Sequence, residues 1–153
     1  MKRRTFLQGT FAATAAGMAV SAGLLSPSAV LADWAEHKGA FEAESMDAAM
    51  KAIGDAEASD KVKIKAPDIA ENGAVVPVTV SSDIEGVSRI SILAEKNSQP
   101  LSAIFNLGEG AKAYVSTRLK IGKTGNVVAI VKAGDKSYKA HKEVKVTIGG
   151  CGG

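Results

Sequence analysis

The chain is short of the residues that ordinarily carry site chemistry. It has one cysteine in 153 residues and two histidines. A lone cysteine excludes an intrachain disulfide, and no spacing of cysteine and histidine resembles a metal or haem site. No cofactor and no metal are expected, and no catalytic residue stands out. Aromatic residues make up only 5% of the chain. No basic cluster is interleaved with them, which disfavours a nucleic-acid surface. Long hydrophobic runs are missing too. The first apolar stretch, residues 9–25, is diluted by alanine, glycine and threonine and is short for a membrane span.

What is present begins with a targeting signal. Lys2-Arg3-Arg4-Thr5-Phe6-Leu7-Gln8 is a twin-arginine pattern followed by that weak apolar run. Ser26-Pro27-Ser28 breaks any helix, and Val30-Leu31-Ala32 supplies the small residue at −1 and the tolerated residue at −3 that a signal peptidase needs. The expectation is a leader over residues 1–32, cleaved after Ala32, and a periplasmic product exported already folded. Lys2, Arg3 and Arg4 then leave with the leader, so the 19 basic and 16 acidic residues of the full chain become 16 of each. The basic character belongs to the precursor, and the mature chain has no overall attraction for nucleic acid or anionic lipid. Export in the folded state implies a cofactor inserted beforehand or a partner carried across. With no residues to hold a cofactor, co-export with a partner is the expectation.

The mature chain is of single-domain length. Residues 41–57 read as one amphipathic helix, with Phe41, Met46, Ala49, Met50 and Ile53 on its apolar side and Gly54 near its end. Methionines at this spacing are read as core contacts. Beyond Asp60 the period changes to two. Strands are expected over residues 61–65, 74–80, 87–94, 101–107, 112–121, 127–132 and 137–148, separated by Gly, Asn and Asp turns. Pro77 lacks an N–H and argues that its strand is at an edge or bulged. Seven strands at this spacing, with no helices between them, predict an all-β, immunoglobulin-like antiparallel sandwich over residues 33–148 with one N-terminal helix.

The last five residues break the pattern. Gly149, Gly150, Gly152 and Gly153 surround Cys151. Glycine has the greatest backbone freedom and no side chain to pack, so residues 149–153 read as a flexible arm, reaching about 16 Å at about 3.3 Å per residue. The Cys151 thiol has no evident activating base. Neither His37 nor His141 is aligned with it by spacing. With an ordinary thiol pKa of about 8.5, only a few per cent is thiolate at neutral pH. Such a group is suited to being acted upon: a thin glycine arm can thread into another protein's channel and present sulfur there. Other readings remain open. The thiol could form an intermolecular disulfide, or be incidental to a non-catalytic exported sandwich that binds a partner. A thiocarboxylate on the terminal Gly152-Gly153, as in ubiquitin-like sulfur carriers, would require ATP, which export leaves behind. Lipidation needs its cysteine elsewhere.

The sequence resembles the SoxY family, sulfur-compound carrier subunits of the periplasmic thiosulfate-oxidising Sox system. The resemblance is carried by the twin-arginine leader and by Pro67-Asp68-Ile69-Ala70-Glu71-Asn72-Gly73 with Val76-Pro77-Val78-Thr79-Val80. Ala94-Glu95-Lys96-Asn97 before Pro100, Ser116-Thr117-Arg118-Leu119-Lys120 and Val144-Lys145-Val146-Thr147-Ile148-Gly149-Gly150-Cys151-Gly152-Gly153 complete it. It implies Cys151 as the point of covalent substrate attachment in a carrier that is not itself an enzyme. It implies a heterodimer with a SoxZ-like subunit that lacks its own leader. It also implies docking with a c-type haem enzyme that attaches thiosulfate, a hydrolase that releases sulfate and, in complete systems, a sulfane dehydrogenase.

Overall fold

A computed structural model of the chain describes residues 27–147. By its contacts the chain divides between Glu36 and His37. The described part of the first unit is helical, the opening turns of α1 (Pro27–Phe41). Proline is tolerated at a first helical position, where its missing N–H would have no partner in any case. Pro27, expected to break a helix, here begins one, and the expected cleavage point after Ala32 falls within it. No described helix is long and apolar enough to cross a membrane.

The second unit carries the sandwich. The single helix expected over residues 41–57 is instead the end of α1, a break, and a short helix α2 (Met46–Ile53). The cause is Ser45. Its backbone is extended (φ −135°, ψ 152°) and its hydroxyl accepts the N–H of Ala48 at 3.3 Å, so it caps α2 and starts it afresh. Gly54, at φ 111°, closes the helix by donating its N–H to the Met50 carbonyl at 2.9 Å. The apolar stripe survives the break. Phe41, Met46, Met50 and Ile53 all pack around buried Ala40, Ala49, Leu93, Leu101, Val128 and Ile130.

The strands are β1 (Glu57–Ala58), β2 (Val62–Lys65), β3 (Ile69–Ala70), β4 (Val76–Ser82), β5 (Val87–Ala94), β6 (Leu101–Asn106), β7 (Tyr114–Leu119), β8 (Gly125–Ala133) and β9 (Lys136–Val146). The larger sheet runs β1-β9-β8-β5-β6, with β3 also on β9; the smaller runs β2-β4-β7. Between the sheets lie Val76, Val78 and Val80 from one side and Ile90, Ile92, Val127, Ala129, Val131 and Val144 from the other. Each of these valines and isoleucines, fully removed from water, contributes about 1.5–3 kcal/mol. This is an immunoglobulin-like β-sandwich, with the helical segment laid on the outer face of its larger sheet.

That third layer explains why β5 and β8 do not alternate. In β5, Ile90, Ile92 and Ala94 face the smaller sheet while Leu93 faces the helix side. In β8, Val127, Ala129 and Val131 face one way and Val128 and Ile130 the other. Both faces are covered, so both faces are apolar. The β8–β9 hairpin closes through Gly134-Asp135, with Ala133 paired to Lys136 and Gly134 at φ 59°, the first turn position at which a two-residue hairpin of the II′ kind needs glycine.

Pro77 corrects one expectation. β4 is the central strand of its sheet, not an edge. β2 covers β4 only from Thr79 to Ser82, however, whereas Pro77 lies opposite Arg118 of β7 with nothing from β2 beside it. The strand is central, and the position is locally at an edge.

Candidate functional site

Cys151 and its flanking Gly149, Gly150, Gly152 and Gly153 lie outside the described residues, as does Ile148. The structure does show the strand that precedes them in sequence. β9 is the longest described strand, eleven residues, and it is bonded on both sides up to its end. On one side β3 runs parallel to it, pairing Ile69 with Lys145 and Ala70 with Val146. Lys145 donates its N–H to the Asp68 carbonyl at 2.9 Å, and Thr147 donates to the Ala70 carbonyl at 3.2 Å. On the other side Val146 donates its N–H to Thr124 Oγ1 at 2.9 Å, and the same hydroxyl lies 3.4 Å from the Val146 carbonyl oxygen, to which it donates.

A second tier of contacts holds these partners. Gly73 accepts the Ile121 N–H at 2.7 Å. A Cβ on Gly73 would collide with the Ile121 carbonyl oxygen and stand 2.9 Å from Val146 Cγ1, so only glycine lets the three chains approach this closely. Asn72 turns the chain into this position by accepting the Ala74 N–H on its Oδ1 at 3.0 Å. Asn97 fastens the neighbouring loop: its Nδ2 donates to the Lys120 carbonyl at 2.7 Å and its Oδ1 accepts the Gly122 N–H at 2.9 Å. Glu95 accepts both the backbone N–H and the side-chain amide of Asn126, at 3.1 and 2.9 Å. The Asn126 backbone bond, with help from Lys96 and the Asn126 side chain, holds the Glu95 carboxyl below the usual glutamate range. Lys142 reaches the Ala66 carbonyl at 2.7 Å and lies 3.1 Å from an Asp68 carboxylate oxygen.

The segments singled out in the sequence around Asp68, Gly73, Asn97 and Lys120 therefore meet at one end of the sandwich, the end where β9 finishes. The histidines stand apart from it. His37 is buried in α1, and His141 is exposed on β9 opposite Val128, five positions before Val146. Sequence reading missed Thr124, and it gave Ala70 only as part of a motif; the parts of both depend on pairing across more than twenty residues and leave no local signal.

The described residues define an immunoglobulin-like sandwich with a firmly held last strand, and the chain's one thiol follows that strand in sequence. The chain matches the family "Sulfur oxidation protein SoxY" over residues 47–151, a span that includes Cys151. It belongs to the SoxY family. A solved structure of the sulfur carrier protein SoxY from Chlorobium limicola f thiosulfatophilum is 42% identical, covering 77% of this chain and 96% of that one with a TM-score of 0.57. A chain from a structure of T cell specificity and activation by the bacterial superantigen toxic shock syndrome toxin-1 is 14% identical, covering 56% of this chain and 99% of that one with a TM-score of 0.41. The human F-spondin reeler domain is 10% identical, covering 58% and 92% with a TM-score of 0.39. Neither of these two bears on the argument. No curated protein matches.

Proposed function

We propose that this protein is a periplasmic sulfur carrier that holds thiosulfate-derived intermediates on Cys151 while partner enzymes oxidise and hydrolyse them. The observation that carries this reading is the family match running through Cys151, the chain's only thiol. The 42% identity to a sulfur carrier protein supports it.

The chemistry balances without a catalytic group on the carrier. The thiol and thiosulfate join through a new S–S bond, giving a cysteine S-thiosulfonate and releasing one proton and two electrons. The electrons pass to a c-type haem enzyme, and the proton goes to water. Hydrolysis then breaks the bond between the terminal sulfonate and the adjacent sulfur, releasing sulfate and leaving a persulfide on Cys151. A sulfane dehydrogenase, where one is present, oxidises that sulfur. The carrier contributes an accessible sulfur, reach, and a base that stays folded while the end of the chain is handled. Its partner in this reading is a SoxZ-like subunit, exported with it by association.

Intact-mass spectrometry of protein from cells grown on thiosulfate tests the reading. Adducts of about 112 Da for thiosulfonate, or multiples of about 32 Da for sulfur, are expected on Cys151, removable by thiol exchange. A thiol that stays unmodified under all conditions, with normal thiosulfate oxidation in a Cys151→Ser strain, would refute it.

A further inference from the structure

The smaller sheet has two outer strands, and they are guarded differently. β2 carries Lys63 and Lys65 and follows Lys61, charges that discourage unintended pairing, and it lies across from β9 and β8 of the other sheet. β7 is bonded to β4 alone among the described strands. Its residues, Tyr114-Val115-Ser116-Thr117-Arg118-Leu119, hold no proline and Arg118 as their one charge. The register between β4 and β7 runs without a bulge. The edge is regular and nearly unprotected.

The register shows which backbone groups of β7 face outward. Pro77 lies opposite Arg118 and has no N–H, so these two cannot exchange the pair of bonds that alternate residues exchange. In the same register, Ser82 donates its N–H to the Ala113 carbonyl at 2.9 Å. Thr117 and Val115 therefore bond to Val78 and Val80, and the N–H and C=O of Ser116 and Arg118 point away from the sheet. Those backbone groups meet no partner among the described residues; the Ser116 hydroxyl is engaged separately, 3.1 Å from Thr79 Oγ1. Tyr114 shares a face with Ser116 and Arg118 and is 59% exposed. Charge is uneven along the strand. Asp83 and Glu85 stand at its beginning, in a groove with Lys112 and Tyr114, and Asp83 is held by Lys63 at 2.9 Å. From residue 110 to residue 134 the chain itself has no acid, and Arg118 and Lys120 make the far end of β7 basic.

We propose that the outer edge of β7 receives an extended segment of a different protein, which runs beside Ser116 and Arg118 and brings an acidic side chain to Arg118 and Lys120. The outward backbone groups of Ser116 and Arg118 supply the attachment. The bases at that end select the partner, and Tyr114 gives it an aromatic ring to cover. A second copy of this chain, antiparallel and centred on Ser116, would instead set Lys112 opposite Lys120 at both ends, where like charges repel. The inference rests on the carrier reading for its probe, the SoxZ-like subunit named there.

The test is residue-resolved amide exchange on the chain alone and with that subunit. In the complex, the amides of Ser116 and Arg118 are expected to slow by at least about tenfold, while Val115 and Thr117, already bonded to β4, change less. Ser116→Pro deletes an outward donor and is expected to weaken binding by about tenfold, with Val115 and Thr117 still protected. Ser116→Ala loses only the hydroxyl contact with Thr79 and is expected to bind as the parent does. Arg118→Glu keeps the backbone donor and is expected to weaken binding most at low salt. A complex in which Ser116 and Arg118 exchange as freely as before would overturn this inference and leave the carrier reading standing. Absence of any complex would also overturn it, while adducts on Cys151 would still report on the carrier role. Protection that rises with the concentration of the chain alone would assign the edge to a second copy and overturn the proposal.

Discussion

Thr124 and Val146 are joined by one hydroxyl that serves both backbone groups of the strand's last residue, accepting its N–H at 2.9 Å and donating to its carbonyl oxygen. Thr124→Val keeps the shape and removes both bonds. The expected cost is about 1 kcal/mol, since a hydrogen bond at an exposed strand end is worth about 0.5–1.5 kcal/mol. Faster exchange of the Val146 amide, with that of buried Val144 unchanged, would locate the loss at the end of β9.

Gly73 gives a sharper contrast. Gly73→Ala places a methyl group against the Ile121 carbonyl oxygen and Val146 Cγ1, and backbone on one side cannot yield cheaply. A destabilisation of about 1–3 kcal/mol in urea unfolding is expected. Gly108 has open space around it and an ordinary φ, so Gly108→Ala is the matched control and should leave the midpoint unchanged.

The Glu95 carboxyl sits below its ordinary value of 4.5 because Asn126 and Lys96 favour its charged form. A lowered folded value means that the stability Glu95 contributes is fully present above pH 4.5 and is lost as the pH falls through the folded value. Urea unfolding of the parent and Glu95→Gln over a pH series checks the sign. The parent should be the more stable at neutral pH, and the gap should narrow on acidification below 4.5. A gap that widens there would contradict it.

In the carrier reading, glycine beside Cys151 provides clearance. Gly150→Val and Gly152→Val are expected to slow loading by the thiosulfate-attaching enzyme while leaving the reaction of Cys151 with a small thiol reagent unchanged. Equal slowing of both reactions would mean that the side chain alters the thiol itself.

Much of this architecture could be read from residue order because the physics responsible is local. Lys61-Val62-Lys63-Ile64-Lys65 alternates because one face is buried, and Gly134 announces a hairpin because its φ is positive. The two-residue strands β1 and β3 escaped notice, being too short to show a period and paired with β9 through distant chain. The helix boundary was misplaced because Phe41 and Met46 share an apolar cluster across a break that Ser45 alone signals. Pro77 was read as an edge marker, which is true of its position and not of its strand. At the site, the lone cysteine among glycines was plain in the sequence. The brace formed by Ala70, Thr124 and Gly73 was not, because each of these becomes meaningful only when two distant segments, residues 70–73 and 121–124, arrive at Val146.

The pairing of β9 has a mechanical consequence. A pull along the axis of β9 is borne between β8 on one flank and β1 and β3 on the other. Hydrogen bonds perpendicular to a pull share it as shear, whereas bonds in line with it rupture one after another. In the carrier reading, an enzyme that grips the end of this chain and withdraws along that axis would meet this shared resistance rather than peel the strand bond by bond.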